Sequence, residues 1–267
     1  MKTDLQFEQI TSPANSKIKR LRKLRQTRNE TTEDLFMILG NHHLGSALEA
    51  GWEIVECYFT EEVQDSSFGL DFLRQILKRG GSLYQVSNSI FVEISEKEIT
   101  HGMVGVCRKK NFSWDDLELQ SRIVALVQPQ DPGNVGTILR TLDSIGGGGL
   151  VLLNGGVRPY HPTLLRASMG SIFWNPIIQA DFATLNDWRK IHDYQLIGTS
   201  ARGQTKDWNK TDERKSILLF GSEQKGLDDS QLSACDELIS IPMRGHHSSL
   251  NLAVAAGIIL YKFFKLV

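Results

Sequence analysis

Short apolar runs alternate with helix-type hydrophobic periodicity through the second half of the chain, and this alternation constrains the fold most. Each run is four or five residues long and mostly uninterrupted by polar side chains, which is typical of strands buried on both faces. The stretches between them repeat apolar residues every three or four positions, as amphipathic helices do. The pattern predicts an α/β domain with a largely parallel sheet and helices on both faces. The runs lie at residues 123–127, 150–153, 195–198, 217–220 and 238–241, and the helices at 135–145, 163–170, 182–192 and 250–264.

The first half of the chain shows the same alternation on a smaller scale. A polar stretch, 108–121, then breaks the periodicity. At roughly 150 residues per domain, a chain of 267 residues is long enough for two domains. We therefore predict a smaller α/β domain at 1–110, a linker at 111–121 and a larger α/β domain at 122–267. In the smaller domain the apolar runs are 35–39, 54–60, 83–86 and 104–107, and the helices are 42–50 and 68–78.

A basic amphipathic helix is predicted before the first of these runs. Residues 17–28 include seven basic side chains and no acidic one, while Ile18, Leu21 and Leu24 form one apolar stripe. Such a surface suits contact with phosphate groups, and a solvated helix face is the alternative. The candidate RNA-binding residues are Lys17, Lys19, Arg20, Lys23 and Arg25.

Composition limits the function classes that remain. Thirty Lys and Arg against 31 Asp and Glu exclude a polycation that coats nucleic acid, so an RNA partner has to be met by a local basic patch. Three widely spaced cysteines offer neither a disulfide framework nor a metal site, so we expect no metal and a reducing, cytoplasmic location. The run 252–261 is about half the roughly 20 residues needed to cross a bilayer, and residues 1–10 lack the apolar core of a secretion signal. We expect no membrane partner.

Three loops after predicted strands are where chemistry is expected, because sheets of this type bind ligands at the carboxyl ends of their strands. The first, 128–136, leads into a predicted helix that carries Arg140, and Asn134 at its entry is either a helix cap or a ligand-facing amide. The second, 221–227, holds Glu223 between two glycines, which allow close backbone approach. The third, 241–251, is a glycine-bearing loop in which Ser249 and Asn251 stand at a helix entry, with capping as the alternative.

Together these loops resemble the motifs of the SpoU (TrmH) family of RNA ribose 2'-O-methyltransferases. The first family motif is Asn-x-Gly-x-x-x-Arg, the second Gly-x-Glu-x-x-Gly and the third Ile-Pro-Met-x-Gly-x-x-x-Ser-Leu-Asn. The stretch 166–171 also looks like the family's segment between the first two motifs. The matching residues are Asn134, Gly136 and Arg140; Gly221, Glu223 and Gly226; and Ile241, Pro242, Met243, Gly245, Ser249, Leu250 and Asn251.

The resemblance is weaker over the first hundred residues. There the pattern is similar to the small RNA-binding domain, related to ribosomal protein L30e, that often precedes the catalytic domain. Residues 39–42 depart from the Glu-Gly pair expected at that point in many relatives.

The resemblance implies a methyltransferase that uses S-adenosylmethionine and acts on a ribose 2'-hydroxyl. It implies a SPOUT-type domain with a deep trefoil knot, paired as a homodimer through the knotted region. Its substrate would be 23S ribosomal RNA first and transfer RNA second. Core packing is the alternative role for Ile241 and Leu250. The implied catalytic residues are Arg140, Asn134, Glu223, Ser249 and Asn251, and the implied cofactor contacts are Gly221, Ile241, Met243 and Leu250.

The chemistry of such a transfer bears on the role of Arg140. A ribose hydroxyl is a poor nucleophile, so its proton must be removed or its developing charge stabilised. An arginine has a pKa above about 12 and does not readily act as a base. We therefore favour a guanidinium that bridges the neighbouring phosphate and the 2'-oxygen.

Two other classes of function fit the sequence less well. A non-catalytic RNA-binding assembly factor would not need all three motifs intact. A nicotinamide dehydrogenase needs Gly-x-Gly-x-x-Gly directly between its first strand and helix, whereas residues 146–149 follow a predicted helix and precede a strand.

Overall fold

The structure is a computed structural model that describes residues 5–26, 34–95, 102–204, 214–246 and 249–263. The chain divides into two compact units, Met1–Asn111 and Phe112–Val267. Each unit is an α/β structure with its own sheet and its own buried apolar cluster.

Unit 1 is built on a five-stranded mixed sheet of order β1-β4-β3-β5-β2. β5 runs antiparallel to both of its neighbours, and the other pairs are parallel. The predicted strands and helices are present, whereas β1, α3 and α5 were not predicted from the sequence. The elements are β1 Glu8–Ile10, α1 Ser16–Gln26, β2 Leu35–Leu39, α2 Asn41–Glu49, β3 Ile54–Phe59, α3 Glu61–Asp65, α4 Ser67–Lys78, β4 Ser82–Val86, α5 Asn88–Ser95 and β5 Met103–Arg108.

The apolar stripe of α1 packs into the core of unit 1, as its spacing predicts. Ile18, Leu21 and Leu24 are buried in one cluster with Tyr58 and Tyr84 of the sheet. Burial of this stripe fixes which side of α1 faces the domain and which side faces solvent.

Unit 2 is built on a six-stranded sheet in which every pair is parallel, as predicted. The sequence missed β8 and α10, and α6 lies within the segment interpreted as a linker. Trp114 of α6 packs against Trp188 with a ring separation of 5.1 Å. The elements are α6 Trp114–Glu118, β6 Arg122–Val127, α7 Pro132–Ser144, β7 Gly149–Leu153, α8 Pro162–Ala167, a 3-10 turn Ser171–Phe173, β8 Ile177–Ala180, α9 Phe182–Ile191, β9 Gln195–Gln204, β10 Ser216–Phe220, α10 Asp229–Ala234, β11 Glu237–Ile239 and α11 Leu252–Phe263.

Candidate active site

The strand order brings two of the three candidate loops together. The sheet of unit 2 has the order β11-β9-β10-β6-β7-β8, so β7 and β8 lie on one side of β6 and β10 lies on the other. Because the strands are parallel, all their carboxyl ends meet at one edge of the sheet. The loops after β6 and β10 therefore open beside each other where the strand order reverses, which is the usual ligand position in such sheets.

The N-cap of α7, which follows the loop after β6, is Asp131. The side chain of Asn134 is therefore not needed for capping. Asp131 is the N-cap, and its Oδ1 accepts a hydrogen bond of 2.8 Å from the main-chain N–H of Gly133. Pro132 occupies the first helical turn, where its missing N–H costs nothing. Capping as the explanation for Asn134 is therefore wrong, because Asp131 already performs it.

The loop after β10 is a tight turn that presents Glu223. Ser222 and Gly226 exchange two main-chain hydrogen bonds, of 3.2 and 2.9 Å, across the turn. Gly226 has a φ of +69°, and a Cβ on Gly221 would overlap the backbone of Gly226 and Leu227. Both glycines of this motif are thus explained by the closure of the turn.

A hydrogen-bonded chain joins all three loops. Nδ2 of Asn251 donates to Oδ1 of Asn134 at 2.9 Å, and Nδ2 of Asn134 donates to Oε1 of Glu223 at 3.4 Å. The second carboxylate oxygen of Glu223 accepts from the main-chain N–H of Gln130, also at 3.4 Å. Side chains that lie far apart in the sequence therefore meet at one place on the sheet edge.

The direction of this chain follows from the cap of α11. Oδ1 of Asn251 accepts from the main-chain N–H groups of Ala253 and Val254, at 2.9 and 3.3 Å, so its Nδ2 must face Asn134. Nδ2 of Asn134 then points toward Glu223. Because an amide nitrogen only donates, the group opposite it must be an acceptor, as the Glu223 carboxylate is. Asn251 therefore caps α11 and is hydrogen-bonded to Asn134 at the same time.

The remaining residues implied to be catalytic are exposed. Arg140 lies six residues beyond Asn134 on α7, which corresponds to about 9 Å along the helix axis. Within the described part of the chain its guanidinium makes no hydrogen bond or ion pair. Ser249 is also exposed beside the start of α11. Among the described residues, neither side chain is hydrogen-bonded to the Asn251–Asn134–Glu223 chain.

The residues implied to contact a cofactor lie on the loops after β10 and β11. Ile241 is half-buried, whereas Met243 and Leu250 are 40% and 38% exposed, which is high for large apolar side chains. No main-chain group of residues 241–246 is hydrogen-bonded to another described residue. Exposed apolar side chains beside unpaired main-chain groups fit a ligand with a flat apolar ring and polar substituents.

Gly136 of the first motif has a packing role. It is buried where α7 meets α8, and a Cβ there would lie 2.6 Å from Cβ of Ala167 and from the carbonyl oxygen of Leu164. The close contact of the two helices depends on the absence of a side chain.

The sequence missed Gln130 and Asp131 as parts of the site. Asp131 carried a usable signal, because an Asp directly before a Pro is typical of an N-cap followed by the first helical residue. Gln130 contributes its main-chain N–H, which any residue type except proline provides, so no residue pattern could identify it.

The basic residues predicted to bind RNA differ in how exposed they are in unit 1. Lys17 donates to the hydroxyl of Tyr84 at 2.9 Å, which raises the pKa of its ammonium group. Arg20 pairs with Glu56 at 3.1 Å, and Arg25 donates to the carbonyl oxygens of residues 93 and 94. Lys19 and Lys23 are exposed on α1. More than half of the predicted basic face is therefore engaged in contacts within unit 1.

A groove of about 390 Å³ lies elsewhere in unit 1, at the carboxyl ends of β1 and β4. Its walls include three carboxylates and no lysine or arginine, so its charge disfavours phosphate. Its lining residues are Gln9, Ile10, Thr11, Glu61, Glu62, Asp65, Gln85, Val86, Ser87 and Asn88.

Among the described residues, no helix combines the length and the apolar character needed to cross a bilayer. Within the same ranges, no three His, Cys, Asp or Glu side chains are grouped closely enough to hold a metal ion.

Comparison with known proteins covers both units. Residues 121–261 match the model of the SpoU rRNA Methylase family, and residues 15–105 match the MRM3-like substrate binding domain. The chain is 28% identical to the 23S rRNA (guanosine(2553)-2'-O)-methyltransferase RlmP of Bacillus subtilis, over 96% of this chain and 98% of that protein. It is 27% identical to the 23S rRNA (uridine(2479)-2'-O)-methyltransferase of Streptomyces viridochromogenes, over 95% and 90%. The crystal structure of the AdoMet-bound rRNA methyltransferase from Sinorhizobium meliloti is 29% identical, with a TM-score of 0.87 over 98% of each chain.

Proposed function

The chain belongs to the SpoU rRNA methylase family, and we propose from this premise that it methylates a ribose 2'-hydroxyl of 23S ribosomal RNA with S-adenosylmethionine as the donor. The observation that carries the proposal is the hydrogen-bonded chain of Asn251, Asn134 and Glu223. It joins the three motif loops at the place where a parallel sheet binds its ligands. A non-catalytic RNA-binding protein would have no need to hold these loops in one arrangement.

The loops after β10 and β11 fit the cofactor. We assign the main chain of Gly221 and the side chains of Ile241, Met243 and Leu250 to its binding. When bound, S-adenosylmethionine supplies a methyl group that is already activated by the sulfonium. The contribution left to the protein is to activate and align the nucleophile.

Arg140 supplies that activation in the proposed mechanism. Its guanidinium is exposed and makes no ion pair within the described part of the chain, so it is available to a phosphate and to the 2'-oxygen beside it. A fixed cation there lowers the cost of the negative charge that develops on the 2'-oxygen as its proton passes to solvent water. Asn134, Glu223, Ser249 and Asn251 orient the ribose and the loops around it.

Unit 1 is proposed to hold the RNA. Its match to a substrate binding domain and the exposed Lys19 and Lys23 support this role. We further propose a trefoil knot in unit 2, a homodimer paired through that unit and a cytoplasmic location. Val254 and Ile258, which are exposed on successive turns of α11, support pairing through an apolar helix face.

The experiment that tests the proposal separates chemistry from cofactor binding. Arg140→Ala is expected to abolish methyl transfer to 23S ribosomal RNA, while calorimetry shows nearly unchanged affinity for S-adenosylmethionine. Asn134→Ala is expected to cause a smaller loss, because it removes orientation and no charge. A normal rate of transfer by Arg140→Ala would refute the assigned role.

Mapping ribose methylation in total RNA tests the substrate. Cells that lack the protein are expected to lose one 2'-O-methyl group from 23S ribosomal RNA. Loss of a group from transfer RNA instead would support the second substrate class, and no change in either RNA would favour a non-catalytic factor.

A further inference from the structure

The loop between β7 and α8 is held against the loop after β6 by a close backbone contact and a main-chain hydrogen bond. Asn154, Gly155 and Gly156 have φ values of +58°, +86° and +96°, which turn the chain sharply at the end of β7. A Cβ on Gly156 would collide with the carbonyl oxygen of Pro129, and the N–H of Val157 donates to that same oxygen at 2.9 Å. The side chain of Val157 is buried, so this end of the loop is fixed.

The next residue, Arg158, is held between two fixed points. Val157 precedes it, and the N–H of His161 donates to the carbonyl oxygen of Arg158 at 3.2 Å. Nδ1 of His161 in turn caps α8 by accepting from Thr163 at 3.2 Å. Pro129, which accepts the bond from Val157, adjoins the Gln130 N–H that donates to Glu223. Arg158 therefore stands on the same sheet edge as Glu223, on the β7 side.

The guanidinium of Arg158 has no partner among the described residues. The residue is half-buried, yet it makes no hydrogen bond or ion pair with any described residue. A half-buried arginine whose guanidinium has no partner among the described residues is a cation available to a ligand. Burial lowers the pKa of His161, and the positive charge of Arg166 lowers it further, so the fixed charge next to this segment is also positive. A planar guanidinium in this setting is suited to an anion with two oxygens in reach.

We propose that Arg158 binds a phosphate of the RNA strand beside the nucleotide that is methylated. The inference rests on the proposed function, since the Asn251–Asn134–Glu223 chain defines where that nucleotide lies. Arg140 and Arg158 then contact the strand from two different elements, α7 and the β7–α8 loop. Two such contacts fix the position and direction of a strand without reading its bases.

The salt dependence of RNA affinity provides the test. The full-length protein, Arg158→Ala, Arg158→Gln and Arg158→Lys are compared on unmodified 23S ribosomal RNA made by transcription, at several salt concentrations. Loss of one phosphate contact reduces the slope of log affinity against log salt by about 0.7–0.9. We expect this loss and a roughly tenfold higher KM for RNA in Arg158→Ala and Arg158→Gln, with kcat and cofactor affinity unchanged. Arg158→Lys is expected to retain the slope.

The matched control is Lys190→Ala, which removes an exposed cation from the last turn of α9, at the opposite edge of the sheet. It should leave the slope and KM unchanged. An unchanged slope in both Arg158→Ala and Arg158→Gln overturns the proposal. Weakened cofactor affinity with a normal KM for RNA overturns it as well, because the cation would then serve the cofactor. If the parent protein methylates no RNA, the proposed function fails, whereas the salt slope from direct RNA binding still tests Arg158.

Discussion

Swapping the donor and the acceptor of the hydrogen bond between Asn134 and Glu223 tests whether the Asn251–Asn134–Glu223 chain positions the reacting groups. Asn134→Asp sets two carboxylates against each other where the present atoms are 3.4 Å apart. Glu223→Gln places two amides there. The oxygen of the new amide must keep facing the N–H of Gln130, so its nitrogen faces Nδ2 of Asn134 and two donors meet. In the double variant, the Gln amide donates to the new Asp, while both Gln130 and Asn251 keep their acceptors.

The magnitude follows from the distance and the exposure. Two unit charges 3.4 Å apart repel by about 1 kcal/mol at the dielectric constant of water and by about 5 kcal/mol at an effective value of 20. Glu223 is exposed and Asn134 is half-buried, so about 1–2 kcal/mol is appropriate. If the chain orients the reacting groups, this energy corresponds to a loss of roughly 5- to 30-fold in rate for Asn134→Asp.

The assay is the initial rate of methyl transfer from labelled S-adenosylmethionine to 23S ribosomal RNA, measured for the parent, both single variants and the double variant. Glu223→Gln is expected to lose about tenfold, and the double variant should recover to within about threefold of the parent. If the two single losses simply multiply in the double variant, the bond is not what positions the site, and the reasoning is refuted.

Three further predictions concern stability. Gly136→Ala should lower the free energy of unfolding by about 1–3 kcal/mol in urea, because the new methyl group meets Ala167 at 2.6 Å; a stability gain would contradict the packing argument. The pKa of His161 is lowered below its ordinary 6.5, so its contribution to stability is complete above pH 6.5 and is lost as the pH falls toward the folded-state value. Urea titrations between pH 5 and 8 should show this dependence, and His161→Asn, a cap that does not titrate, should reduce it. Arg189→Met should cost about 2–3 kcal/mol by calorimetry, because it removes the 2.5 Å pair between buried Arg189 and half-exposed Asp236; a cost below about 0.5 kcal/mol would contradict this.

Hydrophobic periodicity predicted the architecture because long buried strands and amphipathic helices leave strong patterns. The elements that it missed are short. β1 has three residues with one buried, and β8 has four with two buried, so neither contains an apolar run of four or five residues. The predicted start of α7 at residue 135 was late by three residues, because the cap at Asp131 was not recognised.

The motif residues of the candidate site were predicted from the sequence, but the hydrogen bonds between them could not be. The bond between Asn134 and Asn251 spans 117 residues, and it depends on a strand order that no local pattern specifies. The basic face of α1 shows the same limit. Lys17 and Arg20 bind Tyr84 and Glu56, which are 67 and 36 residues away, so the sequence could not separate them from the cations left exposed.

Asn251 both caps α11 and bonds Asn134, and this has a consequence for how the protein folds. The amide that closes the site also starts α11, so the site cannot form before that helix docks. A nascent chain that still lacks this segment should therefore transfer no methyl group to RNA, even with its sheet assembled. During refolding, catalytic activity should return only with the final packing step, which makes turnover a sensitive reporter of complete folding.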